Sequence, residues 1–92
     1  MKQVTIYTSQ KCPYCAMAKE LLNKKGVSVR ELRVDENPEY ILQAVERSGG
    51  RQTVPQIFID DFHVGGYDEL SALDQEGNLD ELLGTIMRDG AK

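Results

Sequence analysis

The chain has 92 residues, of which 40% are hydrophobic and 28% charged. That suffices for one soluble globular domain, expected over residues 1–92 with a core of about residues 3–88, and excludes a disordered chain. A net charge of −4 excludes a basic nucleic-acid binder, and no apolar run approaches the roughly 20 residues of a membrane span.

The charge is unevenly spread. Residues 1–59 carry nine Lys and Arg against six Asp and Glu, whereas residues 60–92 carry two against nine. Most of these charges read as solvated surface. The segment Met1-Lys2-Gln3-Val4-Thr5-Ile6 goes straight into an alternating pattern, without the apolar stretch and cleavage site of a signal peptide. The expected location is therefore the cytoplasm.

Val4, Ile6 and Thr8 alternate with Thr5 and Tyr7, which predicts a first strand. Cys12-Pro13-Tyr14-Cys15 follows, and then Met17, Ala18, Leu21 and Leu22 recur at helical spacing. Lys24-Lys25-Gly26 supplies a basic last turn and a glycine stop. Val29 to Val34 reads as a second strand. Asn37-Pro38 looks like an N-cap with proline at the first helical position. Ile41, Ala44, Val45 and Ser48 share a face of that second helix, and Gly49-Gly50 ends it. Ile57-Phe58-Ile59 makes a third strand, and the Asp60-Asp61 turn leads to a short fourth near His63-Val64. Gly65-Gly66 precedes a helix with Tyr67, Leu70 and Leu73. Asn78 and Glu81 have capping-box spacing before a last helix carrying Leu79, Leu82, Leu83 and Ile86.

The order β-α-β-α-β-β-α-α fixes an α/β class. Its opening β-α-β unit implies a parallel strand pair joined by a right-handed crossover. The later β-β pair is a hairpin and hence antiparallel. A mixed four-stranded sheet with helices on both faces is expected.

The two cysteines close the turn after a strand and open a helix. Backbone N–H groups at a helix N-terminus lack partners and carry partial positive charge. A thiolate at Cys12 is favoured there, and Lys11 adds a cation beside it, so its pKa is expected below the free value of about 8.5. Pro13 suits the first turn, where no N–H is required. Cys15 lies one turn further along the helix, deeper on the same side. Cys12 is therefore the expected attacking thiol and Cys15 the resolving one. Lasting structural disulfides are rare in the cytosol, which leaves redox or metal chemistry for the pair. Structural zinc needs four ligands, and two cysteines with one distant histidine cannot complete such a site in one chain, so no metal is expected. His63 reads as an ordinary surface or edge histidine.

Cys12-Pro13-Tyr14-Cys15, then Thr53-Val54-Pro55, then Gly65-Gly66-Tyr67-Asp68-Glu69-Leu70 resembles the dithiol glutaredoxins, the bacterial single-domain members in particular. The resemblance runs from Val4 to about Leu83. It implies a thioredoxin-like fold with sheet order 2-1-3-4, glutathione as reductant and no tightly bound cofactor. Pro55 would be a cis-proline, and Val54 would offer its N–H and C=O to the cysteinyl part of glutathione like an added strand. Gly66, Tyr67 and Asp68 would hold the glutamyl moiety, with backbone N–H groups on its carboxylate and Asp68 on its ammonium. Lys11, with Arg51 or Gln52 second, would meet the glycyl carboxylate. Thr53 belongs to the same binding set, and Tyr14 would flank the sulfur.

The implied activity is glutathione-dependent reduction of glutathione mixed disulfides by Cys12 and, with Cys15, of protein disulfides, by a monomer without nucleic-acid or membrane partners. Two alternatives stand beside it. One is a redoxin fed by thioredoxin reductase that serves ribonucleotide reductase. The other is a [2Fe–2S] carrier bridged across a dimer, which Pro13 and Cys15 disfavour.

Overall fold

A strand covered on both faces buries every side chain it carries, and the polar ones among them need hydrogen-bond partners. The computed structural model describes residues 3–84. Its elements are β1 (Val4–Thr8), α1 (Pro13–Lys24), β2 (Val29–Arg33), α2 (Pro38–Arg47), β3 (Gln56–Ile59), β4 (Phe62–Gly65), α3 (Tyr67–Gln75) and α4 (Leu79–Leu83). The sheet order is β2-β1-β3-β4. β1 runs parallel to β2 and antiparallel to β3, and β3 pairs antiparallel with β4. The order and type of every element match the expectation from sequence.

All five residues of β1 are buried. Alternate side chains feed opposite faces. Val4 and Ile6 join Ile57 and Ile59 beneath Ala18 and Leu22 of α1, Leu70 of α3, and Leu79 and Leu83 of α4. Tyr7 joins Leu32 and Phe58 beneath Ala44 of α2. The sheet is thus sandwiched, with α1, α3 and α4 on one face and α2 on the other.

Three local expectations need correction. Met17 is 42% exposed and does not join the α1 stripe, whose buried members are Cys15, Ala18 and Leu22. On α2, Ile41 is 47% exposed, although Ala44 and Ser48 are buried. The packed face is rotated towards Tyr40, Ala44 and Arg47: Tyr40 packs on the core, and the Arg47 guanidinium lies 4.0 Å from the Phe58 ring centre while donating to the Tyr7 hydroxyl at 3.2 Å. Hydrophobic periodicity does not register an arginine that covers a ring with its planar head. Finally, Asn78 makes no side-chain cap on α4. An N-cap oxygen reaches the helix from extended backbone, and Asn78 already has right-handed helical angles, because its N–H closes the end of α3 on the Leu73 carbonyl at 2.9 Å. Ile86 lies outside the described residues.

The other punctuation holds. Asn37 accepts from the Glu39 N–H at 3.1 Å ahead of Pro38. Asp60 takes φ of 51° in the two-residue β3–β4 turn, a conformation that aspartate tolerates better than most residues. Lys25 at the end of α1 bridges to Asp74 at 2.6 Å and Asp80 at 3.2 Å, tying α1 to the α3–α4 corner. The Asp74 hydrogen bond is the main cause that raises the Lys25 pKa.

Packing on the two helices makes opposite predictions. Leu22 is fully buried and Leu42 is 70% exposed. Leu22→Ala should cost about 2–5 kcal/mol, and Leu42→Ala no more than about 0.5 kcal/mol, in urea unfolding. Comparable losses for both variants would contradict this packing.

Candidate active site

β1 ends at Thr8, and four residues later α1 begins on Cys12. The loop between them is pinned at its start and in its middle. The buried Thr8 hydroxyl donates to Glu31 Oε2 at 2.6 Å, and the Gln10 N–H donates to Asp35 Oδ2 at 3.1 Å. Arg33 hydrogen-bonds the Asp35 carboxylate and, with help from Gln10, draws its pKa down to about 2.

Cys12 is the N-cap of α1. Its backbone is extended, and its sulfur accepts the Cys15 N–H at 3.1 Å, the place a serine or aspartate oxygen takes in other helices. Pro13 follows at the first helical position. Cys12 is half-buried while Cys15 is only 2% exposed. The two are joined as a disulfide with Cα atoms 5.2 Å apart. Access thus distinguishes the sulfurs as the sequence predicts: one is reachable from solvent and the other is covered.

The loop before β3 faces this pair. The Val54–Pro55 bond is cis, and the Val54 carbonyl oxygen lies 3.8 Å from the Cys12 sulfur. Thr53, Val54 and Pro55 form one wall of a cleft of about 230 Å³. Tyr14 and Tyr67 form another, their rings stacked at 6.1 Å and 30°. The start of α3 closes the end with Gly66, Asp68 and Glu69, and Arg51 sits on the rim. Eight of the expected binding residues therefore meet in one place. Gln52 does not. It lines a neighbouring groove with Ile41, Ala44 and Val45, beyond Val54. Lys11 is exposed and lines neither cavity.

Glu69 is the residue that sequence reasoning missed. Its carboxylate folds back and accepts the Gly66 N–H at 2.6 Å, and Arg51 stands 4.0 Å away. The Gly66 bond is the first cause lowering the Glu69 pKa. Gly66 has no side chain to return the favour, so this is half a capping box. The Gly-x-x-Glu spacing in the sequence carried the signal. Gly65 must stay bare: at φ of 117° its Cβ would meet Glu69 Oε1 at 2.8 Å. The Gly66 N–H is therefore engaged by Glu69 in this structure, while Gly66 itself lines the cleft. The N–H groups of Tyr67 and Asp68 remain at the head of α3, where no intrahelical acceptor exists for them.

His63 does not approach the cysteines. Its ring stacks on Phe58 at 4.8 Å, and its Nε2 lies 2.7 Å from Gln56 Oε1. Burial, then the Arg51 charge, pushes its pKa down.

Chains of known kind share this architecture. The glutaredoxin family model matches residues 4–64. Glutaredoxin 3 of Escherichia coli K12 is 55% identical over 83 residues, spanning 90% of this chain and 99% of that protein. The solution structure of a glutaredoxin from Brucella melitensis superposes with a TM-score of 0.79 at 53% identity, covering 92% of this chain and 91% of that one. A buckwheat glutaredoxin–glutathione complex superposes with a TM-score of 0.81 at 26% identity, over 90% and 77%.

The Glu69 cap carries a pH signature. Its depressed folded pKa means that its contribution is present above the unfolded carboxyl value of about 4.3 and is lost as pH falls through the folded value. Half the side chain is exposed, so the effect is small. At pH 7, Glu69→Ala should lose about 1 kcal/mol and Glu69→Gln about 0.5 kcal/mol. The gap between wild type and Glu69→Gln should narrow as pH falls below the ordinary carboxylate range and Glu69 protonates. A gap that does not change with pH in denaturant titrations would refute the ionic cap.

Proposed function

The chain belongs to the glutaredoxin family and is a glutathione-dependent thiol–disulfide oxidoreductase, and on that premise we propose how its residues divide the work. Its sheet and helices form a thioredoxin-like fold. The observation that carries the proposal is the sulfur of Cys12 at the N-cap of α1, 3.8 Å from the Val54 carbonyl oxygen beside cis-Pro55.

Once the disulfide is reduced, the Cys12 thiolate keeps the Cys15 N–H as a hydrogen-bond donor. It attacks the glutathione sulfur of a glutathionylated protein. The Cys12–glutathione bond forms as the mixed disulfide breaks, and the protein leaves as a thiolate that takes a proton from water. A second glutathione thiolate then attacks the glutathione sulfur held on Cys12. Oxidised glutathione departs, carrying both oxidised sulfurs, and the Cys12 thiolate returns. With a protein disulfide, Cys12 first bonds one protein sulfur and expels the other. Cys15 then attacks Cys12, freeing the protein and leaving the Cys12–Cys15 disulfide for two glutathiones to reduce. Burial of Cys15 suits that second role, because its only accessible electrophile is the neighbouring sulfur.

Glutathione lies along the cleft in this reading. Val54 pairs with its cysteinyl backbone as an added strand would. The Tyr67 and Asp68 N–H groups take the glutamyl carboxylate, and the Asp68 side chain takes the ammonium. Lys11 is the cation for the glycyl carboxylate, with Gln52 in the adjoining groove. Arg51 is drawn towards Glu69 at the α3 end and steadies that wall. Tyr14 and Tyr67 flank the approach to the sulfur. We assign the reaction to a cytoplasmic monomer, since the cytosolic glutathione pool keeps such thiols reduced. No helix among the described residues is long and apolar enough to cross a membrane.

Turnover tests the division of labour. With glutathione, glutathione reductase and a glutathionylated peptide, wild type and Cys15→Ser should consume NADPH while Cys12→Ser does not. Reduction of a protein disulfide should require both cysteines. A silent wild type would overturn the glutathione reading. Asp68 is exposed, so Asp68→Ala should raise KM for the glutathionylated peptide by about two- to fivefold and leave kcat within about twofold. An unchanged KM would remove Asp68 from the binding set.

A further inference from the structure

We propose that Gln56 and His63 are positioning residues that hold the Thr53–Val54 backbone in the shape that meets the substrate. The proposal rests on the function above, because it names what fixes the docking edge that function uses. Thr53 and Val54 lie outside the strands, in the loop over residues 51–55, so no sheet ladder holds them. Gln56 is the first residue of β3, directly after cis-Pro55, and is 0% exposed. A buried amide is costly unless its polar atoms are bonded. Here both ends are satisfied. Nε2 donates to the Thr53 carbonyl oxygen at 3.0 Å and reaches Thr53 Oγ1 at 3.3 Å, folding back across the turn. Oε1 faces His63 Nε2 at 2.7 Å.

These contacts set the orientation of the amide. With its N–H donors committed to two Thr53 oxygens, the amide oxygen can only accept, so His63 donates from Nε2. His63 thereby tells the two ends of the amide apart. Without that donor, a flipped amide would set its oxygen against the Thr53 carbonyl, acceptor against acceptor. The imidazole is itself held in place by stacking on Phe58, with Arg47 also lying over the Phe58 ring at 4.0 Å. A register shift in the β3–β4 pairing makes this possible. Ile57 pairs with Gly65 while Phe58 pairs with His63, so Val64 turns into the α1-side core and His63 lies over Phe58. The chain His63–Gln56–Thr53 thus runs from the β3–β4 hairpin to the residue beside Val54. It touches neither cysteine, and its role is to place backbone, not to move protons.

Three variants test this. His63→Phe keeps the ring and removes the donor. Gln56→Glu keeps the acceptor and removes the donors to Thr53. His63→Gln restores an N–H donor. The readouts are KM and kcat with a glutathionylated peptide, the rate of Cys12 alkylation by iodoacetamide, and NMR backbone order parameters at Thr53 and Val54. His63→Phe and Gln56→Glu should raise KM by about fivefold or more, with kcat and the alkylation rate within about twofold. Order parameters at Thr53 and Val54 should fall from the rigid value of about 0.85 towards the flexible range below about 0.6. His63→Gln should restore both. The proposal is overturned if His63→Phe folds and leaves KM and the order parameters unchanged, or if KM, kcat and alkylation decline together, as general loosening would produce. A wild type without turnover would refute the functional reading alone. The order parameters would then decide the clamp: loss in His63→Phe with recovery in His63→Gln supports it, and no change refutes it.

Discussion

One hydrogen bond organises the molecule: the N–H of Cys15 on the sulfur of Cys12 at 3.1 Å. It makes the sulfur an N-cap, so the group that caps the helix is also the one to which we assign the reaction. Whatever stabilises α1 therefore positions the sulfur. The Ala18–Leu22 face presses α1 onto the sheet, and β1, buried on both sides, supplies the floor from which the Ser9–Lys11 loop rises. Hydrogen bonds from Thr8 to Glu31 and from Gln10 to Asp35 pin that loop to β2 and the residues after it. The β-α-β crossover fixes where the thiol emerges.

The cleft is built by convergence. Two helix N-termini, those of α1 and α3, open onto it, and the cis-Pro55 loop lies between. Helix N-termini favour anions. One is filled by a sulfur of the chain itself, and the other is partly filled by Glu69, which takes the Gly66 N–H and leaves those of Tyr67 and Asp68. One donor of the α3 N-terminus is thus engaged within the protein, and the next two are those to which the proposed function gives the glutamyl carboxylate. The acidic character of residues 60–92 gains a local meaning at Asp68 and Glu69: one carboxylate is turned outward and the other is folded under Gly65-Gly66.

Much of this was legible in the sequence. The strand and helix order, the Asn37-Pro38 cap, the Asp60-Asp61 turn and the exposure difference between Cys12 and Cys15 each have a local cause, a period or a turn residue, that needs no knowledge of distant contacts. What was hidden depends on side chains that reach across elements. Arg47 replaces Ile41 on the packed face of α2 because it can lie over Phe58, a ring far from it in sequence. Asn78 fails to cap because the end of α3 has already claimed its backbone. Glu69 was readable as a spacing, but its partner is a glycine, and the usual cap signal is a side chain on the other residue. Gln56 carried no signal, since a glutamine at the head of a strand reads as surface until Thr53 and His63 are found on either side of it.

The central claim is that the α1 N-terminus stabilises the Cys12 thiolate, and the pH titration of thiolate ultraviolet absorbance in the reduced protein tests it most directly. The account predicts one thiol titrating well below the free-cysteine value of about 8.5, retained in Cys15→Ser and absent in Cys12→Ser. Two thiols titrating together near that value, or a low titration that survives in Cys12→Ser and disappears in Cys15→Ser, would contradict it.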